Sequence, residues 1–126
     1  MKTRVVSGIQ PSGSMHLGNY LGAIANWVPL QSKHQCLFFL ADLHTITVPQ
    51  DPIDLRNNVI ATAATYIAAG INPKESILFN QSSVAQHAEL GWILSCMTSM
   101  GWLERMTQFK DKAGADKARA SLGLFG

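Results

Sequence analysis

"SGIQPSGSMHLGNYLGAI", Ser7 to Ile24, connects a hydrophobic start at Val5 and Val6 to a segment of helical spacing through glycines, a proline and a histidine. Val5 to Ile9 is a short apolar run ended by Gln10 and Pro11, which predicts a buried strand. From Leu17 to about Gln31 the apolar residues at 17, 21, 24, 27 and 28 keep a helical period, with Pro29 marking an end or a kink. The punctuation therefore lies in a strand-to-helix loop. Gly13 and Gly18 bracket that loop, and glycine at such places lets the backbone turn or approach a ligand closely. The N–H groups that open the following helix favour anionic oxygens. The loop is neither GxGxxG nor GKS/GKT, so the dinucleotide fingerprint and the P-loop do not apply. On spacing alone, an ordinary strand-to-helix loop and a phosphate loop carry similar weight.

Working outward, "CLFFLADLH", Cys36 to His44, begins as the continuous apolar run of a strand covered on both faces. Asp51 and Pro52 supply an N-cap and a proline at the first helical position. The helix that follows presents Arg56, Ile60, Ala63, Ala64 and Ile67 along one side and stops at Gly70 in "GINP". "SILFN", Ser76 to Asn80, is the third strand, and Val84 to Met97 a third helix with Ala88, Trp92 and Cys96 in one stripe. The alternation predicts an α/β fold: a parallel, doubly wound sheet with flanking helices and right-handed crossovers. Ligands of such sheets bind beyond the carboxyl ends of the strands. That edge is where Gln10 to Gly18, Asp42 to Thr47 and Gln81 to Ser83 fall.

Composition narrows the classes further. The chain has 126 residues, 47% of them apolar and 14% charged, which supports a globular core and excludes a disordered or coiled-coil chain. No basic leader with an apolar run and no stretch of about 20 apolar residues is present, which predicts a cytoplasmic protein, or an organelle matrix protein seen without its presequence, with no membrane span. Cys36 and Cys96 form no CxxC pair and read as buried thiols, with no metal site expected. Arg105, Lys110, Lys112, Lys117 and Arg119 alternate with Glu104, Asp111 and Asp116, the pattern of a solvated face.

Among single residues, His16 at the helix entrance can donate to phosphate oxygens, and Asn19 adds an amide at the next polar position. Capping or packing explains a lone histidine equally well. Gln10 and Ser12 add donors, and His44 either lines a pocket or satisfies a strand end. His34 has no assigned role and His87 reads as a surface or capping residue. Trp27, Trp92 and the methionines at 97, 100 and 106 read as core filling.

The combination carries a resemblance. "SGIQPSGSMHLGNYLGA" resembles the first signature of class I aminoacyl-tRNA synthetases in its tryptophan-specific form, with "HLGN" as that branch's variant of the HIGH tetrad. "DLHTITVPQDP" resembles the segment after the second strand, and "ERMTQFKDKAG" a later signature of the dimer and active-site region. The matches are colinear from Lys2 to Phe125. The tyrosine-specific branch and other HxGH-type nucleotidyltransferases are the enzymatic alternatives, and an inert, self-associating domain is the non-enzymatic one.

The resemblance implies ATP as a substrate, with Mg2+ bound to it, L-tryptophan and tRNA(Trp) as partners, and a homodimer. It implies catalytic roles for His16 and Asn19, and ATP contacts by Gln10, Pro11, Ser12, Gly18 and Asn19. Val6, Ser7, Gly8 and His44 match the tryptophan or adenylate pocket, and Gln108 and Lys110 later active-site contacts. Val6 stands where many relatives carry phenylalanine. The resemblance also implies that residues 1–126 form the first part of a Rossmann-like catalytic domain. The KMSKS loop, the acidic residue that reads the indole nitrogen and the anticodon-binding helical domain have no counterpart in them.

Overall fold

The computed structural model describes residues 2–103. Its strands are β1 (Arg4–Ile9), β2 (Gln35–Leu40) and β3 (Ile77–Asn80), in the order β1-β2-β3. Both pairings are parallel, in the registers Arg4↔Gln35 to Ile9↔Leu40 and Leu37↔Ile77 to Leu40↔Asn80. The crossovers are a helical stretch at 17–30, α1, and the helix Pro52–Ala68, α2. A third helix, α3, spans Ala85–Met97.

Stepping the same way across the sheet with crossovers of one hand places both connecting helices on one face. The core follows this rule: Ile24 and Trp27 of α1 and Tyr66 of α2 pack with Cys36, Phe38 and Leu40 of β2. Trp27 stacks on Phe38 at 4.8 Å and meets Tyr66 edge-on at 5.3 Å. Alternate β2 residues Leu37 and Phe39 face the other way and are half-buried, so the strand is sealed on one face and partly covered on the other.

Local chemistry explains the boundaries. Asp51 caps α2 as expected, its Oδ1 accepting from Ile53 N at 2.8 Å and Asp54 N at 3.1 Å. Gly70 ends α2 at φ +110°, its N–H donating to Ile67 O while Ile71 N–H donates to Tyr66 O. The α1 stretch is not uniform: it passes through a π turn at Tyr20–Ile24 and closes as a 3-10 turn at Val28–Leu30 around Pro29. Asn26 Nδ2 donates to Leu21 O and Gly22 O, supplying partners for carbonyls at the π turn. Buried Gln31 ties the helix ends to the lead into β3, donating to Val28 O and Gly70 O and accepting from Asn72 N and Ser76 Oγ.

Several expectations are corrected. The buried residues of α2 are Thr62 and Tyr66, while Ile60 and Ile67 are 58% and 50% exposed. Cys36 is buried, and burial raises its thiol pKa, but Cys96 is exposed. Trp27 is core, whereas Trp92 is 72% and Met97 77% exposed, because α3 buries no residue against the described part of the chain. The basic segment from Arg105 onward, Met106, Gln108 and Lys110 lie outside the described residues.

Tyr66 links the core to the carboxyl edge of the sheet. Its fully buried hydroxyl accepts from Ile9 N at 2.9 Å and donates to Phe39 O at 3.3 Å, bridging β1 and β2 where the loops begin. Tyr66→Phe leaves a donor and an acceptor without a partner and is expected to cost about 1–3 kcal/mol in urea unfolding. Burial pushes the Tyr66 pKa from 10.0 up to about 12. The folded pKa lies above the unfolded one, so this contribution is fully present below pH 10 and is lost as the pH rises through 10 towards 12. The Phe variant is expected to lack that alkaline component.

Candidate functional site

Because the strands are parallel and Ala41 N–H donates to Ile9 O, the segments that follow β1 and β2 leave the sheet side by side, and β3 ends beside them. The carboxyl edge therefore gathers Gln10–Gly18, Asp42–Thr47 and Gln81–Ser83. After β1, Ser12 N–H donates to Gln10 O at 2.9 Å, and Gly13 takes φ +119°, which an L side chain strains to adopt. Gln10 is half-buried and Ser12 exposed, whereas Pro11 is fully buried. Pro11 thus contributes a fixed φ and bulk beneath the loop rather than side-chain surface above it.

His16 stands at the helix entrance with extended backbone, φ −102° and ψ 167°, and its side chain is exposed. Its carbonyl accepts from Asn19 N and Tyr20 N, and its N–H donates to Asn19 Oδ1 at 3.2 Å. Asn19 therefore fixes the entrance, with its amide NH2 still available as a donor. A Cβ on Gly18 would lie 3.0 Å from His16 Cε1 and Nδ1, so the imidazole rests over the space that Gly18 leaves open. The first N–H groups of a helix have no acceptor within it. Imidazole and helix entrance together form a donor cluster suited to an anion.

The expected pocket group Val6, Ser7 and Gly8 is divided by strand geometry. Successive side chains alternate between faces, so Ser7 shares the core face with Phe38, while Val6 and Gly8 share the opposite one with Leu37 and Phe39. Val6 is 59% exposed there. Gly8 is explained by its neighbour: a Cβ would meet Phe39 O at 2.6 Å and the Phe39 ring at 2.8 Å. His44 is half-buried in the helical turn Asp42–Thr45, whose carbonyl at His44 accepts from Thr47 Oγ1 at 2.8 Å.

Sequence reasoning missed Asp42. Its carboxylate is buried and accepts from Leu43 N at 3.0 Å and Ser82 N at 2.9 Å, with Ser82 Oγ donating to its other oxygen. It binds the β2 exit to the β3 exit and so sets the position of the turn that carries His44. Only its place after an apolar strand hinted at this. Asp42→Ala leaves those donors unsatisfied and is expected to cost about 2–3 kcal/mol in urea unfolding, with Asp42→Asn costing less. At the same edge, Gln81 Oε1 is buried without a hydrogen-bond partner among the described residues, and Gln81 O lies 3.1 Å from His87 Nδ1. Among the described residues no group of three or more His, Cys, Asp or Glu is arranged to hold a metal ion, and no helix is long and apolar enough to cross a membrane.

A parallel sheet with a glycine-opened, imidazole-bearing helix entrance at its carboxyl edge defines an α/β protein of the kind whose ligands bind beyond the strand ends. The family follows from comparison. Residues 1–126 match the model described as tRNA synthetases class I (W and Y), and the chain belongs to that family. It is 58% identical over 125 residues to the tryptophan–tRNA ligase of Rickettsia felis, covering 99% of this chain and 38% of that one. The Brucella suis tryptophan–tRNA ligase is 54% identical, covering 98% of this chain and 35% of that one. The tryptophanyl-tRNA synthetase of Campylobacter jejuni complexed with ADP and tryptophane superposes with a TM-score of 0.86 at 46% identity, covering 98% of this chain and 38% of that one. A tyrosyl-tRNA synthetase from Archaeoglobus fulgidus, 18% identical with a TM-score of 0.77 and covering 98% of this chain and 39% of that one, shares the fold. The chain thus spans well under half the length of the relatives it matches, and its Rossmann-like sheet is that of a class I synthetase catalytic domain.

Proposed function

We propose that the full-length protein is a tryptophan–tRNA ligase that acts in the cytoplasm, and that residues 1–126 are the first part of its catalytic domain. The carrying observation is the 58% identity to a tryptophan–tRNA ligase over 99% of this chain, against 18% to a tyrosyl relative. ATP and tryptophan are the substrates of the first step. A tryptophan carboxylate oxygen attacks the α-phosphorus, the bond to the β-phosphate oxygen breaks, and pyrophosphate leaves. A terminal ribose hydroxyl of tRNA(Trp) then attacks the carbonyl carbon of the adenylate, and AMP leaves.

Positioning and charge stabilisation are the work of the residues described above. His16 and the helix entrance donate to phosphate oxygens, with the Asn19 amide beside them. Gln10 and Ser12 supply further donors around the nucleotide, Pro11 sets the loop, and Gly18 keeps the imidazole pose open. Mg2+ carried with ATP would offset phosphate charge beside the His16 and Asn19 donors. Val6, Ser7, Gly8 and His44 belong to the amino-acid or adenylate side, with Ser7 and Gly8 acting through the backbone of β1. Gln108 and Lys110 are assigned to later contacts by resemblance. The exposed apolar side chains of Trp92, Ile93 and Met97 on α3 support a homodimer.

Charging of tRNA(Trp) with labelled tryptophan by the full-length protein tests the reading. Tryptophan is expected to be accepted and tyrosine refused; charging of a tyrosine tRNA instead would overturn it.

A further inference from the structure

The opposite edge of the sheet carries a feature that lies apart from the His16 loop. Parallel register brings the residues before each strand together there: Lys2 and Arg4 at β1, Lys33 and His34 before β2, Lys74 and Glu75 before β3. Every lysine and arginine among the described residues except Arg56 lies at this edge, and Glu75 is its one carboxylate among them. A depression of about 780 Å³ opens between these segments, lined by Lys2, Thr3, Arg4, His34, Gln35 and Glu75. It lies a strand's length, roughly 20 Å, from the His16 loop.

Among the described residues its cationic donors are largely uncommitted. Lys2 Nζ donates once, to Ser32 O at 3.3 Å, and Arg4 uses Nε towards Gln35 Oε1 at 3.2 Å, leaving its terminal nitrogens as a fork. Glu75 Oε1 accepts from Asn72 Nδ2 at 2.9 Å. His34 Nδ1 is buried without a hydrogen-bond partner among the described residues. A guanidinium fork beside an ammonium matches the oxygens of phosphate groups, and a concave wall of one predominant sign concentrates anions.

We propose that this depression is a second binding site for a small anion carrying several phosphate groups, a linear polyphosphate or the polyphosphate tail of a nucleotide. The terminal Arg4 nitrogens and the free Lys2 protons hold adjacent phosphates, Gln35 and His34 line the wall, and Glu75 limits affinity by like-charge repulsion.

Calorimetric titration of the full-length protein with inorganic tripolyphosphate tests this, in a His16→Ala background that weakens binding at the other edge. Lys2→Gln combined with Arg4→Gln is expected to weaken binding by about tenfold or more, while Glu75→Gln tightens it about threefold. The opposite signs separate a site from a loss of folding, and unchanged thermal midpoints confirm it for exposed positions. Equal displacement by ATP points to a nucleotide tail as the source, and none by ATP to free polyphosphate. Binding unchanged by the Lys2 and Arg4 substitutions overturns the proposal, as does a short single-stranded RNA that outcompetes tripolyphosphate with the same residue dependence, which makes the patch a nucleic-acid contact. Neither result depends on whether the protein charges tRNA.

Discussion

Gly8→Ala is expected to destabilise the protein by about 3 kcal/mol, read as a lowered urea midpoint at unchanged slope. The added carbon would stand 2.6 Å from Phe39 O and 2.8 Å from two atoms of its ring. A ring can rotate away, but Phe39 O belongs to the central strand and also accepts from Tyr66 Oη, so it cannot retreat without loosening the bridge between β1 and β2. The strain therefore reaches Ile9 and the loop beyond it. Gly22→Ala is the matched control, since nothing lies within 4 Å of a Cβ there, and it is expected to be neutral or stabilising by up to about 1 kcal/mol. Equal effects at the two positions would show that close packing of β1 on Phe39 is not what requires glycine.

The second large effect concerns chemistry rather than stability. His16→Ala is expected to lower the rate of tryptophanyl-adenylate formation by about 10²–10³-fold, the magnitude of one preorganised donor lost from a site of developing charge. Its side chain is exposed, so the unfolding midpoint is expected to stay within about 0.5 kcal/mol of the parent. Single-turnover kinetics in the full-length protein, with unfolding measured on the same variant, separates the two. Gly18→Ala is expected to act in the same direction but less strongly, because the 3.0 Å approach to the ring displaces the imidazole without removing it. A His16→Ala enzyme with parental rates would remove His16 from the mechanism.

These expectations rest on parts of the structure that were unevenly legible in the sequence. The order of strands and crossovers was readable because apolar runs ended at strong punctuation: Gln10-Pro11, Asp51-Pro52 and Gly70 each serve as the local chemistry predicts. The buried side of α2 was not, because two apolar sides compete there. Ile60 and Ile67 lie on the exposed side, while the core packs against Val59, Ala63 and Tyr66, whose hydroxyl bridges the paired ends of β1 and β2. Trp92 and Cys96 misled for a related reason: an apolar helix announces a need for cover without saying which part of the molecule supplies it.

The layout of the candidate edge was legible in outline and its supports were not. "HLGN" placed His16 and Gly18 together, and their contact gives that placement a geometric reason. The partition of Val6, Ser7 and Gly8 between two faces follows from the strand period but needs the register to say which face is which. Asp42 depends on a residue forty positions away, Ser82, and no local pattern encodes such a pair. Long-range polar clamps of this kind are fixed by tertiary register, so they emerge only when the strands are aligned.

The most direct test of the central claim is ATP–pyrophosphate exchange by the full-length protein, run with each standard amino acid in turn. Exchange that requires tryptophan and falls to background with tyrosine is the predicted result. Exchange driven by tyrosine, or by no amino acid at all, would contradict the assignment.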